Sequence, residues 1–362
     1  MSSLSARRLL LRLRQEWRQF ITIRRSERRW EMAFCAALAS GLPMAVGAWF
    51  GRLDHGLLSS LGGLAFLYLP DTPMHHRMVG IMASTFGLAS CFAMGAISHP
   101  WPGSAVAVLT LIAMLVTMVC RVYRVAPPGS LFFVMAAAIG AYSPTTVEDV
   151  PLKVGLVFMG GLLATLIAFV YSLHILRVQA PQVPTPPVAT FEHVVPDGVT
   201  IGLFVGLSLI LAEACQLNKP YWVPVSCLAV IQGLNLRAVW DKQLQRILGT
   251  CVGLLLAWGL LQLPLNPWTL SVVLIGLTFL VETLVVRHYG LAVIFITPLT
   301  ILLADAPSLG QQAPEVLVHT RLADTVLGSL VGLLGGWCLH QHRSRQWITQ
   351  TLHRLVPARL RR

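Results

Sequence analysis

Residues 221–261 read YWVPVSCLAVIQGLNLRAVWDKQLQRILGTCVGLLLAWGLL, and the rest of the chain is organised as this stretch is. The spacing predicts a short apolar helix, a polar turn carrying Arg237, Asp241, Lys242 and Arg246, and then a long apolar helix. Pro224 stands near the start of the first helix, where a missing N–H costs nothing. Gly249 and Gly253 form a small-xxx-small face on the second. A weaker copy, DHGLLSSLGGLAFLYLPDTPMHHRMVGIMASTFGLA, occupies residues 54–89. In it Arg77-Met78-Val79-Gly80 takes the place of Arg246-Ile247-Leu248-Gly249.

The copy extends along the chain. Arg77 and Arg246 stand 169 positions apart, Pro100-Trp101 and Pro267-Trp268 167 apart, and Arg121-x-Tyr123 and Arg287-x-Tyr289 166 apart. Apolar spans are expected over 32–50, 56–69, 79–97, 104–120, 128–142 and 154–173, then 199–214, 221–234, 246–263, 268–286, 291–304 and 323–340. The second and fifth of each set are short, so they must tilt, thin the bilayer or continue as non-helical backbone. The expected fold is an all-α polytopic membrane protein of about twelve transmembrane helices in two parallel six-helix repeats. An even number of spans per copy gives both copies one orientation, related by an axis along the membrane normal. The expected divisions are a basic segment 1–31, repeats 32–175 and 199–340, a Pro-rich linker 176–198 and a basic tail 341–362.

Composition agrees with that class. Of 362 residues, 55% are hydrophobic and 12% charged, with mean hydropathy +0.69. The net charge of +12 comes mainly from arginine at the two ends, and no basic domain with interleaved aromatics is present to grip nucleic acid. Residues 1–31 hold nine arginines among Leu9, Leu13, Trp17, Phe20 and Ile21 at helical spacing. That pattern suits an amphipathic helix on anionic lipid, or a helix packed on the protein's own underside. The basic region is too long, and the next apolar stretch too close to span length, for a cleaved signal peptide. With a cytoplasmic N-terminus and twelve crossings, 23 of the 27 Lys and Arg residues lie inside, leaving Arg52, Lys153, Lys219 and Arg321 outside. The positive-inside rule therefore favours both termini in the cytoplasm.

Enzyme motifs are missing. There is no GxxxxGK[ST], HExxH or GxSxG, and no close carboxylate pair in a soluble context. The seven cysteines lie in or beside apolar segments without a CxxC pair, as small packing residues do. His75-His76 has no further ligand at metal spacing and reads as a loop pair. No cofactor or metal is expected.

Ionisable groups in apolar spans are expensive and face a cavity or a partner. Arg77, Arg121, Arg246 and Arg287 repeat between the halves near the cytoplasmic helix ends. They form either a cationic vestibule for an anion or a set of snorkelling and structural residues, Arg246 pairing with Asp241 on one helical face. Glu282 is a proton carrier or the ion-pair partner of Arg287, while Glu213, Asp54, Asp305 and Asp324 sit at outer ends of spans, where a proton can enter, and of these Asp54 and Glu213 fall just ahead of short helices. Gln232 and Asn235 offer hydrogen bonds to a substrate, and Gly62-Gly63 and Gln232-Gly233 mark points where backbone can part. Tyr221 and Trp222 offer aromatic faces, or serve as interfacial belt residues like Trp101 and Trp268.

Tyr221-Trp222-x-Pro224, Gln232 and Gln245-Arg246-Ile247-Leu248-Gly249-Thr250-x-x-Gly253, with the later Arg321-x-x-Asp324-Thr325-x-x-Gly328, resemble the fusaric acid resistance protein-like superfamily, which includes aromatic acid exporters. The resemblance covers most of the second half and reaches the first through the repeat. It implies a six-plus-six helix exporter of aromatic or other organic acids in the bacterial inner membrane. It also implies proton-motive drive and a periplasmic membrane-fusion adaptor. Larger members carry a cytosolic domain between the halves, where this chain has only the Pro-rich linker, so regulation and any homo-oligomer stay open. Plant malate channels are similar in architecture. The alternatives are a passive organic-anion channel and a non-transporting scaffold subunit.

Overall fold

The computed structural model describes residues 28–101, 103–184, 186–187, 191–233, 235–305 and 314–341, with 346, 348, 350 and 351. The amphipathic pattern of residues 1–27 and most of the basic tail lie outside the described residues. Among the described residues there are twelve α-helices and no strand. They are α1 (Trp30–Trp49), α2 (Leu53–Gly63, continued by a 3-10 turn Leu64–Tyr68), α3 (Met74–Ser98), α4 (Ser104–Val122), α5 (Leu131–Tyr142) and α6 (Val150–Val178). Then follow α7 (Phe191–Ala214), α8 (Trp222–Ile231), α9 (Leu236–Leu261), α10 (Pro267–Leu284), α11 (Tyr289–Asp305) and α12 (Pro314–His340).

Eight of these helices are long and apolar enough to cross a bilayer; α2, α5, α8 and α11 are the short ones. The chain is a multi-pass membrane protein. Its long helices turn large apolar side chains outward, as in Met159, Leu166, Phe169, Val170 and Leu173 of α6. Such a surface is stable only in lipid. The short helices are enclosed instead: nine of the ten residues of α8 are buried.

Small residues set the packing. A Cβ on Gly95 of α3 would collide with the Ala137 carbonyl of α5, and one on Gly140 of α5 with the Phe92 carbonyl of α3. Gly249 and Gly253 of α9 meet the backbone of α11 at the Gly290 and Ile294 carbonyls. Gly160 of α6 lies against the Ser59 carbonyl of α2, and Gly328 of α12 against the Val223 carbonyl of α8. Apolar side chains gain little by leaving lipid for each other, so close backbone approach supplies the attraction. In residues 30–178, α1 packs on α2, α2 on α6, α3 on α5 and α6, and α4 on α5. The same pairings occur six helices later, with α7 on α8, α8 on α12, α9 on α11 and α12, and α10 on α11.

Three contacts join the first six helices to the last six. Gly198, Gly202 and Gly206 of α7 meet Met118, Met114 and Thr110 of α4. Gly41 of α1 meets Ile275 of α10, and Trp49 stacks edge-on against Trp268 at 6.0 Å. In the middle, α5 touches α8.

Three local expectations change. Arg237, Asp241, Lys242 and Arg246 are not in a turn; they lie on the first turns of α9, because Asn235 caps that helix by accepting from the Ala238 N–H at 2.8 Å. The linker is shorter than 176–198, since α6 runs to Val178 and α7 begins at Phe191, and Gln182 N donates to the Asp71 carbonyl at 2.7 Å. His75 and His76 stand in the first turn of α3, where the His76 ring pairs with Thr72 Oγ1 at 2.9 Å.

Candidate functional site

The helices place polar side chains at two levels. One is the near end, where α1 begins; the other is the far end, where α1 stops. At the near end the inner tips of α2 and α8 converge on the turn before α5. Tyr68 OH donates to the Gly129 carbonyl at 2.8 Å, Gln232 Nε2 to Ser130 Oγ at 2.6 Å, and Thr117 Oγ1 to Ser130 Oγ at 3.0 Å. Gly129, with φ +58°, turns its backbone where a side chain would be strained. Gln232 thus joins α8 to the first half of the chain.

The four arginines occupy separate settings. Arg77 is buried at the start of α3, donating from Nε to the Thr72 carbonyl at 2.7 Å and facing Asp71 at 3.6 Å. Arg246 is also buried and bridges three helices, with Nη1 to Tyr289 OH and Nη2 to Ser226 Oγ, both at 3.1 Å. That contact replaces the expected one with Asp241, because the face of α9 that carries Arg246 is turned inward to α8 and α11. Each guanidinium keeps one buried nitrogen without a hydrogen-bond partner among the described residues: Arg77 Nη1 and Arg246 Nε. Arg121 is exposed and ion-paired with Asp197 of α7 at 3.3 Å. Arg287 is exposed in the turn after α10.

Three carboxylates expected to move protons are already engaged. Glu282 is bound by Arg28 at 3.2 Å rather than by Arg287, since packing of α10 on α1 brings the Arg28 side chain to it. Glu213 accepts from Tyr142 OH. Asp54 faces Arg52 at 3.4 Å with both side chains more than half exposed. Partial burial pushes the Asp54 carboxyl up, but the Arg52 hydrogen bonds, the His55 N–H and both neighbouring charges outweigh it, so the group sits below its ordinary range.

The far end holds the most concentrated cluster. Tyr142 of α5 and Tyr221, just ahead of α8, have ring centroids 5.9 Å apart. Tyr221 leans on Trp222 at 5.3 Å, and the Arg321 guanidinium of α12 lies 4.1 Å from the Trp222 ring. Asp324 follows one turn later and is wholly buried. Of the residues expected to touch substrate, only Tyr221 and Trp222 meet one another here, with Glu213 at the edge through Tyr142. Asn235 is spent on capping α9, and Gly62 and Gly63 on close contact with the Val157 and Ala39 carbonyls.

Asp324 was expected only as a carboxylate at the outer end of a span, and Arg321, Tyr142 and Ser130 were not among the expected site residues. The signal for the first two was legible: opposite charges three apart in an apolar stretch share one helical face. A span expected to begin at 323 took in Asp324 but left Arg321 outside, whereas α12 begins at Pro314 and encloses both. Tyr142 and Ser130 enter by tertiary contact alone. Among the described residues no group of three metal-ligating side chains occurs.

Residues 200–335 match the family described as fusaric acid resistance protein-like. The chain is similar to the uncharacterized membrane protein YvaC of Bacillus subtilis (strain 168), 20% identical over 475 aligned residues that cover 90% of this chain and 75% of the relative. No solved structure matches.

Proposed function

We propose that this chain is a secondary transporter of the bacterial inner membrane that exports aromatic or other organic acid anions, driven by protons and delivering to a periplasmic adaptor. The match of residues 200–335 to a family named for resistance to an organic acid carries this reading. The short, enclosed helices α5 and α8 support it, because helices that stop inside a membrane bring dipole ends and polar side chains to the depth where secondary transporters bind substrate.

In this reading the twelve helices cross as two like-oriented units, related by an axis along the membrane normal, with both termini cytoplasmic. The recurring helix pairings and the basic excess on one side support that arrangement. The near end is then the cytoplasmic mouth, where Arg77, Arg121, Arg246 and Arg287 raise the local concentration of anions. Arg121 and Arg287 do so from the surface, and Arg77 and Arg246 through the field of a buried guanidinium. The anion passes between the halves along α5 and α8, by Gln232 and Ser130, toward Tyr221 and Trp222. The half-buried Tyr221 ring offers a flat apolar face to an aromatic acid, and the buried Trp222 backs it.

Purified chain in sealed vesicles tests this. Labelled phthalate, an aromatic dianion that lipid excludes, should move through the protein and accumulate against its gradient when a pH difference is imposed. Flux that follows voltage alone assigns a passive channel instead, and no flux of phthalate or malate assigns a scaffold.

A further inference from the structure

Asp324 lies inside α12, fully buried, and both of its carboxylate oxygens lack a hydrogen-bond partner among the described residues. An ionised carboxylate held this way has lost its water and gained no donor, so its charge is carried at a cost. Glu282, Glu213 and Asp54, by contrast, each have a donor or a cation in contact.

The carboxylate is not a packing requirement of the helix pair that carries it. Gly328 of α12 abuts the Val223 carbonyl of α8 as Gly160 of α6 abuts the Ser59 carbonyl of α2, and the two glycines are 168 positions apart. The same offset sets Leu156 against Asp324 and Lys153 against Arg321. Lys153 is used locally, donating to the Pro144 carbonyl and Thr145 Oγ1. One helix therefore carries a half-buried leucine where the other carries a wholly buried acid.

The charged neighbours are few. Arg321 lies on the same helix over Trp222, and Lys219 lies in the turn before α8; both act on Asp324 through space. On α7 the acid at the far end is Glu213, held by Tyr142, and the only ionisable side chain within α8 is the buried Cys227. Leu254 and Ala257 of α9 and Ile301 of α11 present an apolar wall to Val318 and Leu322 of α12. The charged residues of α9 sit in its first turns, and its Cys251 is exposed. His319 and Glu315 on α12 are exposed.

We infer that Asp324 is the proton-carrying carboxylate of this protein. A proton from the far-end aqueous phase bonds to one Asp324 oxygen while the site is enclosed. It leaves to water on the near side when rearrangement opens the site there, where hydration stabilises the ionised form. One O–H bond is made and broken per cycle, with no change of oxidation state. The role in coupling rests on the transport reading above; the protonation of Asp324 does not.

Two measurements on the full chain separate these. Infrared titration should show a protonated-carboxyl band in the wild type that is absent from Asp324→Asn and shifted in Asp324→Glu; an unchanged band in both variants overturns the assignment. In vesicles, Asp324→Asn should exchange labelled for unlabelled phthalate at the wild-type rate but lose accumulation driven by a pH difference, with Asp324→Glu retaining both. Accumulation that persists in Asp324→Asn also overturns it. A wild type that shows the Asp324 band but moves no phthalate supports the proton site and sinks the transport reading.

Discussion

Arg28, just ahead of α1, and Glu282, in the last turn of α10, meet at 3.2 Å across 254 positions of sequence. The other long contact between the halves ends the same way, with Arg121 in the last turn of α4 facing Asp197 of α7 at 3.3 Å. The polarity is reversed between them: the acid belongs to the ending helix in one pair and to the starting helix in the other. Both pairs sit at the near end.

Breaking one latch should loosen its seam. Glu282→Gln removes a charged hydrogen-bond acceptor and should cost roughly 1.5–3 kcal/mol. A cycle with Arg28→Gln should show a coupling of about 0.5–3 kcal/mol in detergent unfolding. Additive single effects would mean that the contact does no energetic work.

Arg246 holds α8, α9 and α11 together through Ser226 and Tyr289. Ser226→Ala and Tyr289→Phe should each cost about 1–3 kcal/mol, the range for hydrogen bonds to a charged partner and for a buried donor left without one. Arg246→Met should lower folded yield more than either. If Arg246→Met folds normally and only weakens phthalate uptake, the residue serves the substrate and not the scaffold.

Asn235→Ala removes the cap of α9 and should destabilise by about 1 kcal/mol. The apparent affinity for phthalate should stay unchanged, and Asn235→Ser should restore stability because serine also caps. Loss of affinity at full stability would return Asn235 to the substrate path.

Asp54 supplies a pH signature. Its folded-state carboxyl lies below the ordinary range, chiefly because Arg52 and His55 outweigh partial burial. The stabilisation is therefore fully present above the unfolded carboxyl value of about pH 4 and fades as pH falls through the lower folded value. Solvent screening keeps it under about 1 kcal/mol. The stability gap between wild type and Asp54→Asn should be flat above that pH and close below it; a gap that closes near neutrality contradicts the ion pair.

Gly328 leaves no room for a Cβ beside the Val223 carbonyl. Gly328→Ala should cost about 1–3 kcal/mol by overpacking, seen as a lower unfolding temperature and reduced monodisperse yield. Gly259→Ala, at a glycine with open space around it, should leave both unchanged.

Much of the fold was legible in sequence because its signals are local. Hydropathy marked the helices, and the four short ones fall second and fifth in each set of six, as read from the apolar run lengths. Glycine spacing marked the faces that pack, Gly202 and Gly206, Gly249 and Gly253, Gly328 and Gly332. Helix ends were less legible: Asn235 and Pro314 start helices ahead of the apolar run, so polar residues expected in turns are helical. That shift put Asp241 and Arg246 on α9 and drew Arg321 into α12.

Sequence by itself determined that this chain lives in lipid, which segments are long or cut short, and which faces are small enough for backbones to meet. Each depends on neighbours within a few turns, where side-chain size and hydropathy act directly. Which charge meets which was decided only by tertiary structure. Glu282 lies closer in sequence to Arg287 but pairs with Arg28, and Arg246 reaches Tyr289 instead of Asp241, because the order in which helices pack sets which ends share a level. For the same reason Arg321 reaches Trp222 only when α12 packs on α8, and Tyr142 of the first half reaches Tyr221 only once the halves close on each other.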